Sequence, residues 1–145
     1  ATTEALLLCL AGTQSPDATT RQQAELQLQD FSLQHGFGIA LLELLLSNQV
    51  DVQIRQLSAV LCRQYIHVHW ARHRQGFQEP EVSEEHKSSM RSQLLGALSL
   101  EHSKLRTAVS MAVASVAKED FPERWPELIP HLMQMLQAGA PHLVH

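Results

Sequence analysis

Residues 51–74 read DVQIRQLSAVLCRQYIHVHWARHR, and this stretch decides the fold. It contains neither Gly nor Pro. Ile54, Leu57, Ser58, Leu61, Tyr65 and Val68 recur at steps of three and four, and Gln56, Arg63, His67, Trp70 and Arg74 fall on the opposite side. That is the 3.6-residue period of an amphipathic helix. Asp51 stands where a carboxylate accepts from the unpaired N–H groups of a first turn. Arg72 and Arg74 stand where cations meet the negative end of the helix dipole. The spacing therefore predicts one helix over 51–74. A helix with so long an apolar stripe requires neighbours to bury it.

Working outward, the neighbours read as helices too. Towards the N-terminus, 39–46 is strongly apolar, and Gly36-Phe37-Gly38 separates it from a Gln-rich helix over 17–34 with Ala24, Leu28 and Phe31 inward. Ser15-Pro16 offers a cap and a first helical residue for that helix. A short helix over 2–10 turns Leu6, Leu7 and Leu10 inward. Towards the C-terminus, Ser83 followed by Glu84 and Glu85 is a cap with acids in the first turn. It opens a helix to about residue 99 with Met90, Leu94, Leu95 and Leu98 inward. Ser103 is the expected cap of the next, over 104–119, built on Leu105, Ala108, Val109, Ala112 and Val116. A proline-bounded corner, 120–126, leads to a last helix over 126–137. The pattern is all-α.

The chain also repeats itself. Arg21, Arg55 and Arg106 each precede a small or apolar core position by three residues, and Phe31, Tyr65 and Val116 each follow ten residues later. The arginines are 34 and 51 residues apart, so the period is irregular. Each unit pairs an apolar first helix with an Arg-bearing second helix, which is the plan of HEAT-type hairpins stacked as a right-handed α-solenoid. The units fall at roughly 2–34, 37–74 and 83–119, with the start of a fourth at 122–137. A plain helical bundle is the alternative. The unpaired seventh helix suggests a piece of a longer array. Arg21, Arg55 and Arg106 are read as structural, bonding carbonyls or an acid of the adjacent hairpin.

Composition narrows the function. A net charge of −4 over 145 residues does not suit a generic nucleic-acid binder. No apolar run approaches the roughly 18 residues of a membrane span. The two cysteines, Cys9 and Cys62, sit in apolar helical patterns and read as buried thiols of a reducing compartment. His69 and His73 are four apart but lack further ligands at matching spacing, so no metal is assigned. There is no phosphate-binding glycine loop and no nucleophile motif, so neither enzyme activity nor a cofactor is expected.

Particular motifs go beyond a generic hairpin. Ala24-Glu25-Leu26-Gln27-Leu28, Ile54-Arg55-Gln56-Leu57-Ser58-Ala59-Val60-Leu61, Arg63-Gln64-Tyr65-Ile66 with His69-Trp70, Ser103-Lys104-Leu105-Arg106, and the corner Phe121-Pro122-Glu123-Arg124-Trp125-Pro126 resemble the N-terminal domain of the importin-β (karyopherin-β) nuclear transport receptors. The resemblance covers nearly the whole chain. Two positions depart from it. Arg63 stands where Lys is commoner, and Lys118-Glu119 replaces a more aromatic, His-containing pair. The resemblance implies a receptor that shuttles between cytoplasm and nucleus. It implies binding of the GTP form of the small GTPase Ran through the second helices, and of nucleoporins through the full-length chain. It implies import cargo too, in one branch core histones and other basic proteins. Neither a membrane nor direct nucleic-acid binding is implied.

Helical periodicity then selects the residues opposite the buried stripes. Gln22 and Gln29 on the first unit, Gln56, Arg63 and His67 on the second, and Thr107 and Lys118 on the third are the expected Ran-contacting set. A mixed Gln, Thr and cation surface suits a protein partner. The alternatives are a HEAT scaffold unrelated to Ran, and a nucleic-acid site at the Arg55–Arg74 patch. Trp70 and Trp125 are expected to be packing anchors.

Overall fold

The computed structural model describes residues 3–137; the expected helix start at Thr2 and the segment 138–145 lie outside them. Among the described residues there are helices and no strand: α1 (Thr3–Thr13), α2 (Ala18–Ser32), α3 (Phe37–Leu46), α4 (Val52–His69), α5 (Glu84–Ala97), α6 (Ser103–Asp120) and α7 (Leu128–Gln137). None of them is long and apolar enough to cross a membrane.

Local chemistry sets the helix starts. Asp51 caps α4, accepting from Gln53 N at 3.1 Å. Ser83 caps α5, accepting from His86 N at 3.2 Å. At α2 the cap is Asp17, not Ser15: its Oδ2 accepts from Thr20 N at 2.9 Å and from Thr20 Oγ1 at 2.6 Å. Those two bonds hold the Asp17 carboxyl below its usual range. Ser15 instead accepts from Asp17 N at 3.1 Å, one step earlier in the turn. Asp17 has the extended cap backbone, and it takes the cap. Ser103 is likewise inside α6; His102 has the extended cap backbone and makes no side-chain cap bond. Arg106 holds the carbonyls of Leu100 and Glu101 in the turn before the helix. In the α2–α3 break, only Gly36 adopts the left-handed backbone, at φ +88°. Gly38 is already helical, and a Cβ there would stand 2.7–2.9 Å from Met90 and Tyr65 side-chain atoms. Its lack of a side chain lets α3 approach α4 and α5.

The central helix is shorter than its periodicity predicts. Trp70 is the C-cap of α4, and the chain folds back so that Gln78 N and Val82 N take the carbonyls of Val68 and His69 at 3.0 and 3.1 Å. Arg72 and Arg74 therefore lie beyond the helix rather than in its last turn. Arg72 pairs with Glu79 at 2.7 Å and Glu81 at 3.3 Å, while Arg74 reaches across to Ser115 and Glu119 of α6. Trp70, assigned by period to the polar side, is fully buried, because the helix stops there and the ring turns inward. Helix α7 starts at Leu128, two residues after the expected Pro126.

The helices pack as pairs, α1 on α2, α3 on α4 and α5 on α6. The first helices α1, α3 and α5 lie in sequence against one another, and α4 lies against α6. The core runs between these two layers. Leu41, Leu42, Leu44 and Leu45 of α3 are at most 2% exposed, each burial contributing about 2 kcal/mol. Both tryptophans are packed in it, as expected of anchors.

One junction is polar. Trp70 Nε1 donates to Asp120 Oδ2 at 3.1 Å, and Arg91 Nη1 donates to the same oxygen at 2.8 Å. The other guanidinium nitrogen of Arg91 meets Glu84 at 2.9 Å. Lys87 lies 5.5 Å over the Trp70 ring and pairs with Glu81 at 3.1 Å. Burial pulls the Arg91 guanidinium pKa down, but the hydrogen bonds and charges of Glu84 and Asp120 outweigh it and the net direction is up. The cluster ties α4, α5 and α6 together through groups that are satisfied despite burial.

Candidate functional site

The arginine of each unit is held in its own hairpin. Arg21 donates to Ser15 O at 3.2 Å, Arg55 to Leu45 O at 2.8 Å, and Arg106 to Leu100 O at 3.0 Å and Glu101 O at 2.5 Å. Each long side chain reaches back to carbonyls at the end of its preceding helix or in the turn between. The partners are carbonyls, as expected of structural arginines, but they belong to each arginine's own hairpin and not to the adjacent one. A guanidinium satisfying loose carbonyls at a turn fixes how the second helix leaves it.

With that anchor repeated, α2, α4 and α6 present two shared grooves. Between α2 and α4 lies a groove of about 450 Å³ with an apolar floor of Leu28, Leu61, Tyr65 and Val68 and a rim of Glu25, Gln29, Gln64 and Gln78. Between α4 and α6 lies one of about 520 Å³, lined by Arg63, Gln64, His67, Val68, Met111 and Ser115. Arg63 Nη1 spans the second groove to within 3.0 Å of Met111 Sδ. Exposed apolar side chains dot the same helices: Leu26 at 63%, Leu33 at 62%, Val60 at 41% and Met111 at 48%. Spread among amides and a few charges, they make a surface of the mixed character that protein partners use.

The predicted residues distribute unevenly over this surface. Gln29 lines the first groove; Arg63 and His67 line the second. Gln22 and Lys118 are exposed on α2 and α6 outside both grooves, and Gln56 is half-buried near the start of α4. Thr107 is exposed, but its hydroxyl donates to Ser103 O at 3.0 Å within the helix. Sequence reasoning passed over Gln64 and Val68, which line both grooves. They are four residues apart, one turn of α4, and sit on the ridge between its two neighbours. Val68 was assigned to the buried stripe because α4 was read as having one buried side. In fact α4 packs on α3 and on α6, and the groove towards α2 opens along its remaining side.

The histidines face separate partners. His69 Nδ1 lies 2.7 Å from Gln78 O and 2.9 Å from Pro80 O, so this nitrogen carries the proton it donates to them. His73 Nε2 lies 2.7 Å from Glu119. Among the described residues no group of three or more His, Cys, Asp or Glu side chains is placed to hold a metal ion.

Comparison with known proteins identifies the lineage of this arrangement. The chain is 35% identical over 135 residues to importin subunit beta-5 of Schizosaccharomyces pombe, covering 92% of this chain and 14% of that protein. It is 27% identical over 128 residues to importin-9 of Drosophila melanogaster, covering 84% of this chain and 12% of the other. The chain thus spans about a seventh of the length of the relatives it matches. Among solved structures, the exportin Cse1 in its cargo-free, cytoplasmic state aligns with a TM-score of 0.78 at 23% identity, over 90% of this chain and 14% of that one. Kap95p, in a structure concerned with its binding of RanGDP, aligns at 0.74 and 22% identity, over 90% and 16%. Kap95 in complex with Nup1 aligns at 0.75 and 23%, again over 90% and 16%. These likenesses show the fold, a solenoid of helical hairpins. The model of the importin-beta N-terminal domain matches residues 24–99, just over half of the chain and the span from α2 to the end of α5. By that match, the chain belongs to the importin-beta N-terminal domain family.

Proposed function

We propose that this chain is the N-terminal part of a receptor that shuttles between cytoplasm and nucleus, and that the α2–α4–α6 face docks the GTP form of Ran. The observation that carries the reading is the grouping of all three Arg-bearing helices around two adjacent grooves with exposed apolar and amide side chains. Gln22, Gln29, Gln56, Arg63, His67, Thr107 and Lys118 form the proposed contact set, with Gln64 at its centre. A fold shared with Kap95p, whose solved structures concern RanGDP and Nup1, supports Ran and nucleoporins as partners. The Gln64-Tyr65-Ile66 and His69-Trp70 pattern supports the importin-9 branch, and with it core histones and other basic proteins as cargo of the whole receptor. The chain works by binding, and the repeat units at 2–34, 37–74 and 83–119 are its working parts.

The test is capture of purified Ran by the immobilised chain, with Ran loaded with a non-hydrolysable GTP analogue or with GDP. The reading predicts preferential capture of the GTP form. Equal capture of both forms, or of neither, would contradict it.

A further inference from the structure

Most arginines of this chain are already engaged. Arg21, Arg55 and Arg106 hold carbonyls, Arg72 meets Glu79 and Glu81, Arg74 meets Glu119, and Arg91 meets Asp120 and Glu84. Arg63 is different. It is half-buried in the middle of α4, and its one partner among the described residues is the Met111 sulfur across the groove, 3.0 Å away. A thioether is a weak acceptor. A permanently charged guanidinium, able to bind a carboxylate in a two-pronged fashion, thus rests on a contact that a carboxylate easily displaces.

Arg63 brings the one full charge among the side chains that line the groove. His67 lies one turn further along α4 and lines the same groove. Lys118 follows Met111 and Ser115 on α6 at steps of four and three, on one helical stripe. No acid lines this groove, and Glu119, the nearest on α6, is occupied by Arg74 and His73. All this occurs in a chain whose net charge is −4. On the other side of α4 the neighbouring groove carries Glu25 and no lysine or arginine. The two grooves therefore differ in sign, with Arg63 in the α4–α6 groove and Glu25 in the one towards α2.

We infer that the α4–α6 groove receives an acidic segment of a protein partner, Arg63 leaving the Met111 sulfur to pair with one of its carboxylates. The inference rests on the docking reading above and deepens it: the polarity fixes the charge of the partner's matching surface and the direction in which it lies. A protein segment fits better than a nucleic acid. The cations are few, and the groove between them is lined by Met111 and Val68, whereas a phosphate backbone is bound by neutralising many charges in a row.

The experiment uses the whole chain and three labelled probes: a hexaglutamate peptide, a hexalysine peptide and a short single-stranded DNA. Binding is followed by fluorescence anisotropy, and the site is mapped by backbone amide shifts. The expected result is that hexaglutamate binds and shifts signals of α4 and α6 around Arg63 and Met111, and that hexalysine does not. Arg63→Glu weakens it about tenfold, Lys118→Glu weakens it less, and Arg63→Lys retains most of it. Circular dichroism confirms that each variant is folded. Hexaglutamate shifting no α4–α6 signal, Arg63→Glu binding like the parent, or DNA binding more tightly than hexaglutamate would each overturn the inference. A parallel titration with GTP-loaded Ran separates the two ideas. Ran binding that is indifferent to Arg63→Glu removes the acidic-segment inference and leaves the docking reading. Hexaglutamate binding at the groove without Ran binding does the reverse.

Discussion

Asp120 is where three helices meet. It is 2% exposed and receives both the Trp70 indole N–H and one nitrogen of Arg91. Removing its carboxylate leaves the indole unpaired and the buried Arg91 with Glu84 alone, and breaking a buried pair from one side is costly. Asp120→Ala should lower stability by about 3 kcal/mol in urea unfolding. A loss below about 1 kcal/mol would mean that the cluster does not hold the junction. Cys62 makes a second residue-level case. It is 1% exposed, and burial pushes its thiol up to about 12. Almost no thiolate exists at pH 8 while the chain is folded, whereas a free thiol near pKa 8.5 ionises readily. Alkylation with iodoacetamide at pH 8 should leave Cys62 unlabelled in buffer and label it fully in urea. Rapid labelling in buffer would contradict the packing described around it.

Elements differ in how much room they leave. Gly38 sits where α3 crosses α4 and α5, with Met90 and Tyr65 atoms 2.7–2.9 Å from any added Cβ. Gly38→Ala should cost about 1–3 kcal/mol by overpacking. Gly96, in the last turn of α5, has nothing within 4 Å of a Cβ, so Gly96→Ala should be neutral or stabilise by up to about 1 kcal/mol. Thermal unfolding of the two variants reads both signs, and matching effects would contradict the packing. These elements were legible in sequence to different degrees. Six of the seven followed from the three-and-four spacing of an apolar stripe, and α3 from its almost wholly apolar run. The ends were less legible. Helix α4 stops at His69 because the loop's Gln78 and Val82 amides take its last carbonyls, bonds between positions 10 to 13 residues apart that no local pattern announces. Asp17 and Ser15 are both good caps by type, and only the backbone at Asp17 decides between them.

At the scale of the molecule, the two joints of the docking face are built differently. The C-cap of α4 and the loop after it are cross-linked to α6 by Trp70–Asp120 and by Arg74 with Ser115 and Glu119. Between α2 and α4 lies an open groove instead, with no ion pair bridging the two helices among the described residues. The repeated arginines made the stacking of second helices visible in sequence, since the same side chain anchors each to its own turn. The grooves were only half visible. Arg63, His67 and Gln29 lie on faces that period alone selects. Gln64 and Val68 matter because α4 has a neighbour on each side, which a one-faced reading of amphipathicity cannot supply. The most direct measurement of the central claim is a hydrogen-exchange footprint of the chain with and without GTP-loaded Ran. Protection concentrated in α2, α4 and α6, around Gln29, Gln64 and Met111, is the predicted result. Protection confined to α1, α3 and α5, with the second helices unchanged, would contradict it.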